Sequence, residues 1–302
     1  MKKAFSFPVL FVLYVSLVLS SAATAQTNRF SILYTTPSQG DRDFIVTQDS
    51  ATLESGLFQI ASDSTYAYRP MELTAGGNRV SGVIDHLLVE NWTITIGLLR
   101  NWDVSFGLPI IWYNRFNAPT TPQPGFENVA GIGDAWMRAR VRFFDKERSL
   151  FGLALSAFGT LPTGDEASFT SNNKETGGFF VIIDKNLGKR WSVGTNAGLM
   201  FREHVIYQDY EATSLVNASL GVRFQANYHL AFKSDVFLQT PIDHLLDSTV
   251  NSPLEALAQV EYKIPQTNFA INVGGGHSLV RGVGVPTWRG LAGIAYTGSI
   301  NK

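Results

Sequence analysis

The sequence predicts an all-β protein, a closed antiparallel up-and-down transmembrane β-barrel of about twelve strands. Three features predict this fold: an N-terminal export signal, apolar residues at every second position, and connections that alternate between short and long. The composition agrees with the prediction. Aromatic residues make up 12% of the 302 residues and charged residues only 16%, whereas charged residues reach about 25% in an average soluble domain.

Residues 1–25 have the organisation of a secretory signal peptide. Lys2 and Lys3 form a positive n-region, Phe5 to Leu19 form a mostly apolar run, and Ala23-Thr24-Ala25 supplies a small-x-small cleavage site. A membrane-spanning helix needs ~20 apolar residues, which is more than this run provides. We therefore expect cleavage after Ala25, export to the bacterial outer membrane, and a mature chain without a helical span.

Alternation with a period of two runs from about residue 51 to residue 297. In one example an apolar stripe extends from Trp102 to Trp112, while Asp103 and Ser105 point to the opposite face. Since no stretch shows a 3.6-residue period, we expect almost no helix. The twelve predicted strands are centred near 53–68, 83–99, 102–113, 133–144, 150–161, 177–186, 191–202, 214–225, 230–240, 254–264, 268–280 and 288–297.

The connections between these strands alternate in length. The tight ones lie at 100–101, 145–148, 186–190, 226–229 and 265–267, and the longer ones at 69–82, 114–132, 162–176, 203–213, 241–253 and 281–287. Short turns at one rim and long loops at the other are typical of bacterial outer-membrane barrels. We therefore expect both termini in the periplasm and the loops at 114–132 and 163–175 outside the cell.

Aromatic residues recur at an interval that fits a membrane. Trp102 and Trp112 are ten residues apart on one stripe, which is ~33 Å along a strand and ~25 Å of membrane normal after a ~40° tilt. A secreted β-sandwich would have to bury such stripes in a ~10 Å core. The predicted membrane-girdle aromatics are Phe58, Tyr68, Trp102, Trp112, Trp191, Phe201, Tyr262, Trp288 and Tyr296.

Three arginines share the polar face of one predicted strand. Facing lipid near the midplane, each of Arg138, Arg140 and Arg142 would cost ~2–4 kcal/mol, so we place them in the lumen. A register in which paired residue numbers sum to about 245 puts Asp103 opposite Arg142. The predicted lumen-lining residues are Arg138, Arg140, Arg142, Asp103, Asp134, Arg223, Lys233, Asp235, Glu255, Gln259, Glu261 and Lys263.

Two interpretations of these lumenal charges remain open. They form either an electrostatic filter for anionic or polar solutes or a structural ion-pair network that fills a narrow barrel. We expect Glu255, Glu261 and Asp235 to reach across the lumen to the arginines. Lys233 with Asp235, and Glu261 with Lys263, are predicted as further pairs.

Residues 26–50 precede the first predicted strand, and residues 51–298 form the predicted barrel domain. The first of these segments either folds into the lumen as a plug or hangs in the periplasm. It carries Arg29, Asp41, Arg42 and Asp43.

Several classes of function are excluded or disfavoured. The chain has no Cys, so disulfides and thiolate chemistry are absent, and 24 basic against 25 acidic residues offer no basic face for nucleic acid. The five His show no metal-ligand spacing, and we expect neither a metal nor a cofactor. Adjacent residues such as His277 and Ser278 point to opposite faces of a strand, so no catalytic residues are assigned.

Four segments resemble a known family of barrels: Gly131-Ile132-Gly133-Asp134, Leu161-Pro162-Thr163-Gly164-Asp165, Asp184-Lys185-Asn186-Leu187-Gly188, and the run from Trp191 to Gly198. Their order is similar to that of outer-membrane barrels assigned to the meta-pathway of phenol degradation, a transporter-like group. It is also similar to the N-terminal barrel of large outer-membrane-protein-A-like proteins. The resemblance covers roughly residues 35–297, implies a channel or transporter, and does not fix the solute.

The sequence therefore predicts a channel for passive movement of small solutes, hydrophobic or aromatic ones among them. A structural barrel with a closed lumen is the alternative, and an outer-membrane lipid hydrolase comes third. The expected partners are outer-membrane lipid, an unidentified small solute and, during biogenesis, the barrel assembly machinery. Nucleic acid is not among them.

Overall fold

The computed structural model describes residues 30–33, 43–75, 78–116, 129–165, 168–207 and 210–300. The predicted export signal at 1–25 lies outside the described residues. The strands are β1 (Leu57–Ala75), β2 (Asn78–Leu99), β3 (Trp102–Phe116), β4 (Val129–Ile132), β5 (Ala135–Phe144), β6 (Gly152–Leu161), β7 (Thr176–Leu187), β8 (Trp191–Phe201), β9 (Val205–Tyr207), β10 (Tyr210–Ala212), β11 (Leu215–Gln225), β12 (Leu230–Pro241), β13 (Leu254–Lys263), β14 (Phe269–Val280) and β15 (Trp288–Ser299). The described residues contain no helix with the length and apolar character that a membrane crossing requires.

Twelve of these strands form a closed antiparallel ring. Each pairs with its neighbours in chain order, and β1 pairs with β15 from Leu57 opposite Ser299 to Tyr68 opposite Trp288, which closes the barrel. The short strand β4 adds to the ladder of β3, while β9 and β10 form a separate hairpin. The prediction of a twelve-stranded up-and-down barrel is confirmed.

One predicted loop is strand instead. The expected connection at 69–82 belongs largely to an extended hairpin, because β1 continues to Ala75 and β2 begins at Asn78. Pro70 has no N–H for the ladder, and the register shifts between Tyr68 and Met71, where Arg69 has a φ of 53°. The ladder resumes beyond this irregularity, so Pro70 lies at a bulge of a continued hairpin.

Inward and outward faces alternate along the strands as the period of two predicts. All nine predicted girdle aromatics are half-buried or exposed on the outer face, and Trp112 is the most exposed of them at 57%. The indole Nε1 of Trp112 donates to Glu90 Oε2 at 2.7 Å, and Ser62 Oγ donates to the other oxygen of Glu90 at 2.5 Å. The placement of the nine aromatic residues at the two membrane interfaces stays a prediction.

Candidate lumenal site

The barrel has a turn end, with the short turns 100–101, 145–151, 188–190, 226–229 and 264–268, and a loop end opposite. Residues 43–50, which we call the lumenal segment, lie between the inward faces of the strands. Seven of these eight residues are buried, and only Val46 is half-buried. The chain then leads to the start of β1 at Leu57.

Backbone groups of the lumenal segment are bonded to side chains of the wall. Asp235 on β12 accepts hydrogen bonds from the N–H groups of Ile45, Val46 and Thr47 at 3.2, 2.9 and 2.7 Å through one carboxylate oxygen. Asn196 on β8 accepts from Gln48 N–H at 2.6 Å and donates to the Gln48 carbonyl at 3.0 Å. A segment without regular structure thus has its polar backbone paired inside the barrel.

Arg140 joins the lumenal segment to the wall by charge. Its guanidinium donates to Asp43 Oδ1 and to Asp103 Oδ2, each at 2.9 Å, and also to the backbone carbonyl of Asp49 at 2.9 Å. All three ion-pair side chains are at most 4% exposed. The pair therefore lies in a low-dielectric setting, where losing one partner is far more costly than at a surface.

The predicted register of this pair is wrong by two residues. Asp103 lies opposite Arg140 rather than Arg142, because β3 and β5 pair with Trp102 opposite Val141. The connection between these two strands is long, and a long loop does not fix register as a tight turn does. Arg142 instead lies near the turn end, where it donates to Asn101 Oδ1 at 3.2 Å.

A lysine from the turn between β5 and β6 contacts the lumenal segment. Lys146 Nζ contacts Asp49 Oδ2 on the lumenal segment and Asp184 Oδ2 on β7, the latter at 2.7 Å. Burial raises the pKa of Asp49 to about 7, even though the lysine favours its charged form. Burial alone would lower the pKa of Lys146, but the two carboxylates raise it.

Two further ion-pair groups lie on the opposite wall. Glu261 accepts from Lys233 at 2.5 Å and from Arg223 at 3.2 Å, and Glu255 accepts from Arg289 at 2.7 Å. The prediction that Glu255, Glu261 and Asp235 reach the arginines of β5 is therefore wrong. Each of these carboxylates is already bonded to nearer groups.

One of the two predicted pairs on single strands, Lys233 with Asp235, is also wrong, and the pair of Glu261 with Lys263 stays a prediction. Lys233 bonds Glu261 instead of Asp235, because Glu261 lies on the adjacent strand and Asp235 is bonded to the lumenal segment. Gln259 donates to Asn272 at 2.7 Å, and Lys263 is half-buried at the end of β13.

Asp134 lies between β4 and β5 and accepts from backbone N–H groups of the loop at 162–175. Burial raises the pKa of Asp134.

A cavity of about 200 Å³ lies on the loop side of the lumenal segment. Val46 and Gln48 line it from the segment, and residues 31–33 line it nearer the loops. Its side walls combine aromatic and amide side chains, among them Trp136, Phe158, Phe180, Asn91, Asn196 and Asn217. Residues 30–33 are held there by the loop, since Ile32 N–H donates to the Phe169 carbonyl at 3.1 Å.

Arg138 lines this cavity and differs from its neighbour Arg140. Arg138 is only 8% exposed. Within the described part of the chain it has no ion pair, and its Nη2 has no hydrogen-bond partner. Its guanidinium lies 5.3 Å from the ring centroid of Trp136. The Nε1 of Trp136 is also buried without a partner among the described residues.

Sequence reasoning found the two arginines and missed several groups that act with them. Asp49, Lys146 and Asp184 form the cluster at the turn end, and Trp136 adds a donor in the cavity, Nε1, that has no partner among the described residues. Asp184 and Trp136 each lie on the inward face of an alternating strand, so the period of two could have identified them. Lys146 lies in a turn, and no pattern in the sequence points it into the lumen.

Fold and site together define a barrel of the outer-membrane type whose lumen contains part of its own N-terminal region. The chain belongs to the family described as "Putative MetA-pathway of phenol degradation", whose profile matches residues 36–279. This match confirms the predicted resemblance. No curated protein matches the sequence.

Solved structures share the fold at low sequence identity. The COG4313 outer membrane channel from Pseudomonas putida F1 is 13% identical with a TM-score of 0.66, covering 83% of this chain and 98% of that one. The NanC porin is 9% identical with a TM-score of 0.51, covering 79% of this chain and 98% of the porin. Both similarities concern the architecture alone.

Proposed function

We propose that this protein is an outer-membrane channel for passive movement of small solutes, exported by a cleaved signal at residues 1–25. The cavity inside the barrel carries the proposal, because a purely structural barrel has no need of a lumenal space lined by mixed polar and apolar groups. The architecture it shares with an outer membrane channel supports the same function.

The size of the cavity indicates the size of the solute. Pockets for drug-sized ligands measure about 300–1,000 Å³, and this cavity measures about 200 Å³. A solute that fills it is therefore smaller than a typical drug. Both amide side chains and aromatic rings line its walls, which suits a solute with one polar end and an apolar body.

The lumenal segment lies between this cavity and the turn end. A solute leaving the cavity toward the turn end must pass residues 43–50, which are held by Arg140, Lys146, Asp235 and Asn196. We therefore propose that the segment is a plug whose displacement opens the channel. The same contacts favour the second candidate, a closed structural barrel in which the plug never leaves.

Conductance in planar bilayers separates these candidates. We expect small single-channel steps from the full mature chain, purified from cells without other porins, and steps several times larger after deletion of residues 27–48. A barrel that stays silent in both forms would contradict the channel function. Equal steps in both forms would contradict the plug while leaving the channel standing.

A further inference from the structure

We propose that the cavity contains a binding site for a small aromatic carboxylate, centred on Arg138 and Trp136. This inference rests on the proposed channel function and names the class of solute that the channel takes. It rests on two buried donors, on Arg138 and Trp136, that have no partner among the described residues, and on the aromatic wall beside them.

The charge of Arg138 is the first argument. A buried charge is costly unless a partner of opposite sign and hydrogen bonds compensate it. Arg140, two residues along the same face, obtains both from Asp43 and Asp103, whereas Arg138 forms no ion pair within the described residues. A bound anion would supply the opposite charge and the hydrogen bonds that Arg138 does not receive from the described residues.

Trp136 provides a second donor next to the first. It lies on the same inward face of β5 as Arg138, and its Nε1 has no acceptor among the described residues. Gly107 lies opposite Trp136 on β3, and a Cβ at that glycine would overlap the indole. The absence of a side chain at Gly107 therefore lets the indole lie across the wall, with an N–H available for the second oxygen of a carboxylate.

The body of the ligand is indicated by the adjacent wall. Phe158 lies directly opposite Arg138 on β6, and its ring stacks on Phe180 with centroids 5.5 Å apart and planes 23° apart. Both phenyl rings line the cavity. Flat aromatic groups pack on such rings in offset or edge-on arrangements. A ring attached to a carboxylate would place its anionic end at Arg138 and its apolar body against Phe158 and Phe180.

The remaining charges of the cavity agree with an anion. Among the described lining residues, Arg138, Arg202 and Arg289 are basic and Asp134 is the acidic one. Asp134 is directed to the loop backbone, where it accepts from Gly164 and Asn172. Arg289 is neutralised by Glu255 at 2.7 Å, so Arg138, which forms no ion pair among the described residues, supplies the positive charge that favours a carboxylate over a neutral or cationic ring.

The site is tested by calorimetric titration of the purified full-length barrel in detergent. The titration is done at a pH of roughly 7.5, where carboxylates are ionised. Three probes separate its parts: benzoate, benzamide as its neutral counterpart, and acetate as a carboxylate without a ring. We expect benzoate to bind at least roughly tenfold more tightly than either of the others. Benzamide lacks the charge that strengthens a hydrogen bond to Arg138, and acetate lacks the ring that packs on Phe158 and Phe180.

Two variants complete the experiment. Arg138→Gln should weaken benzoate binding by roughly tenfold or more, and Arg148→Gln, the same change in an exposed turn, should leave it unchanged. Heat-modified gel mobility verifies that both variants fold. If Arg138→Gln does not fold, the comparison of benzoate with benzamide on the unaltered protein still decides.

Equal binding of benzoate and benzamide, equal binding of benzoate and acetate, or no binding of benzoate would overturn the proposed site. Conductance is measured separately on the same preparation. A barrel that conducts without binding benzoate contradicts the site alone. One that binds benzoate without conducting contradicts the channel function alone.

Discussion

Two buried arginines, one toward each end of the lumen, differ in their ion pairing. Toward the turn end, Arg140 is bonded to Asp43, Asp103 and the carbonyl of Asp49. Two residues further along the same face, Arg138 enters the cavity with no ion pair among the described residues. Both arginines are buried, so burial alone does not distinguish a structural charge from one available to a ligand.

The lumenal segment creates this difference. It brings Asp43 and the carbonyl of Asp49 to Arg140, and its backbone N–H groups donate to Asp235. The two interpretations of the lumenal charges therefore apply to different parts of one strand. Arg140 belongs to an ion-pair network, and Arg138 has the features of a filter.

The largest expected effect is on stability. Arg140→Gln leaves Asp43 and Asp103 buried without their cation, and breaking a buried pair in this way costs ~3–5 kcal/mol. We expect the variant to lose its folded gel mobility at a clearly lower temperature in detergent. Arg138→Gln is the matched control and should melt like the unaltered protein. If both variants melt alike, the contrast between the two ends is wrong.

The second prediction concerns the seat of the lumenal segment. The ring of Phe44 lies against Gly194 and Gly221, where an added Cβ would be 2.5 and 2.6 Å from ring atoms. Gly221→Ala should therefore displace the segment, leave the barrel ladder intact, and raise single-channel conductance severalfold.

Gly290→Ala provides the control for this substitution, because nothing lies within 4 Å of a Cβ at Gly290. Its conductance should equal that of the unaltered protein. A Gly221→Ala channel that also conducts normally would show that Phe44 does not hold the segment in place.

The third prediction concerns pH. Since burial raises the pKa of Asp49 to about 7, the folded protein keeps a proton that the unfolded chain, with a pKa of about 3.9, releases. Stability should therefore fall as pH rises from about 4 to about 7 and level off above that. Ionised Asp49 would then share Lys146 with Asp184 while Asp43 repels it.

Heat-modified gel mobility between pH 5 and pH 8, an interval chosen to span roughly the titration of Asp49, measures this dependence. Asp49→Asn should reduce the loss of stability across the interval. Asp247→Asn, at a side chain that is 75% exposed, should leave it unchanged. A slope that persists in Asp49→Asn would assign the dependence to other groups.

The smallest expected effect is on ion selectivity. Arg138→Gln removes a positive charge that has no ion pair among the described residues from a narrow passage, where Coulomb terms exceed those in bulk water. The reversal potential in a salt gradient should shift toward cations, most clearly at low salt because screening is then weak. Arg148→Gln in the exposed turn should not shift it. An unchanged potential in Arg138→Gln would place that arginine outside the conduction path.

Most strand positions could be predicted because the period of two is a local property of the chain. Each residue on an alternating strand faces lipid or lumen according to its own side chain, so the inward placement of Arg138 and Arg140 followed from the cost of placing them in lipid. The strand boundaries mostly differ from the predicted ones by a few residues. The largest departure is at 69–82, where Pro70 lies in a bulge of a continued hairpin.

The partners of the lumenal charges could not be predicted in the same way. Ile45 and Asp235 are 190 residues apart in the chain, and Arg140 and Asp43 are 97 apart. No local pattern encodes such a contact, and long loops left the register of β5 on β3 open. The sequence by itself determined a barrel with charges inside. Only the tertiary structure decided which of those charges are paired, because closing the barrel around residues 43–50 brings distant groups within bonding distance.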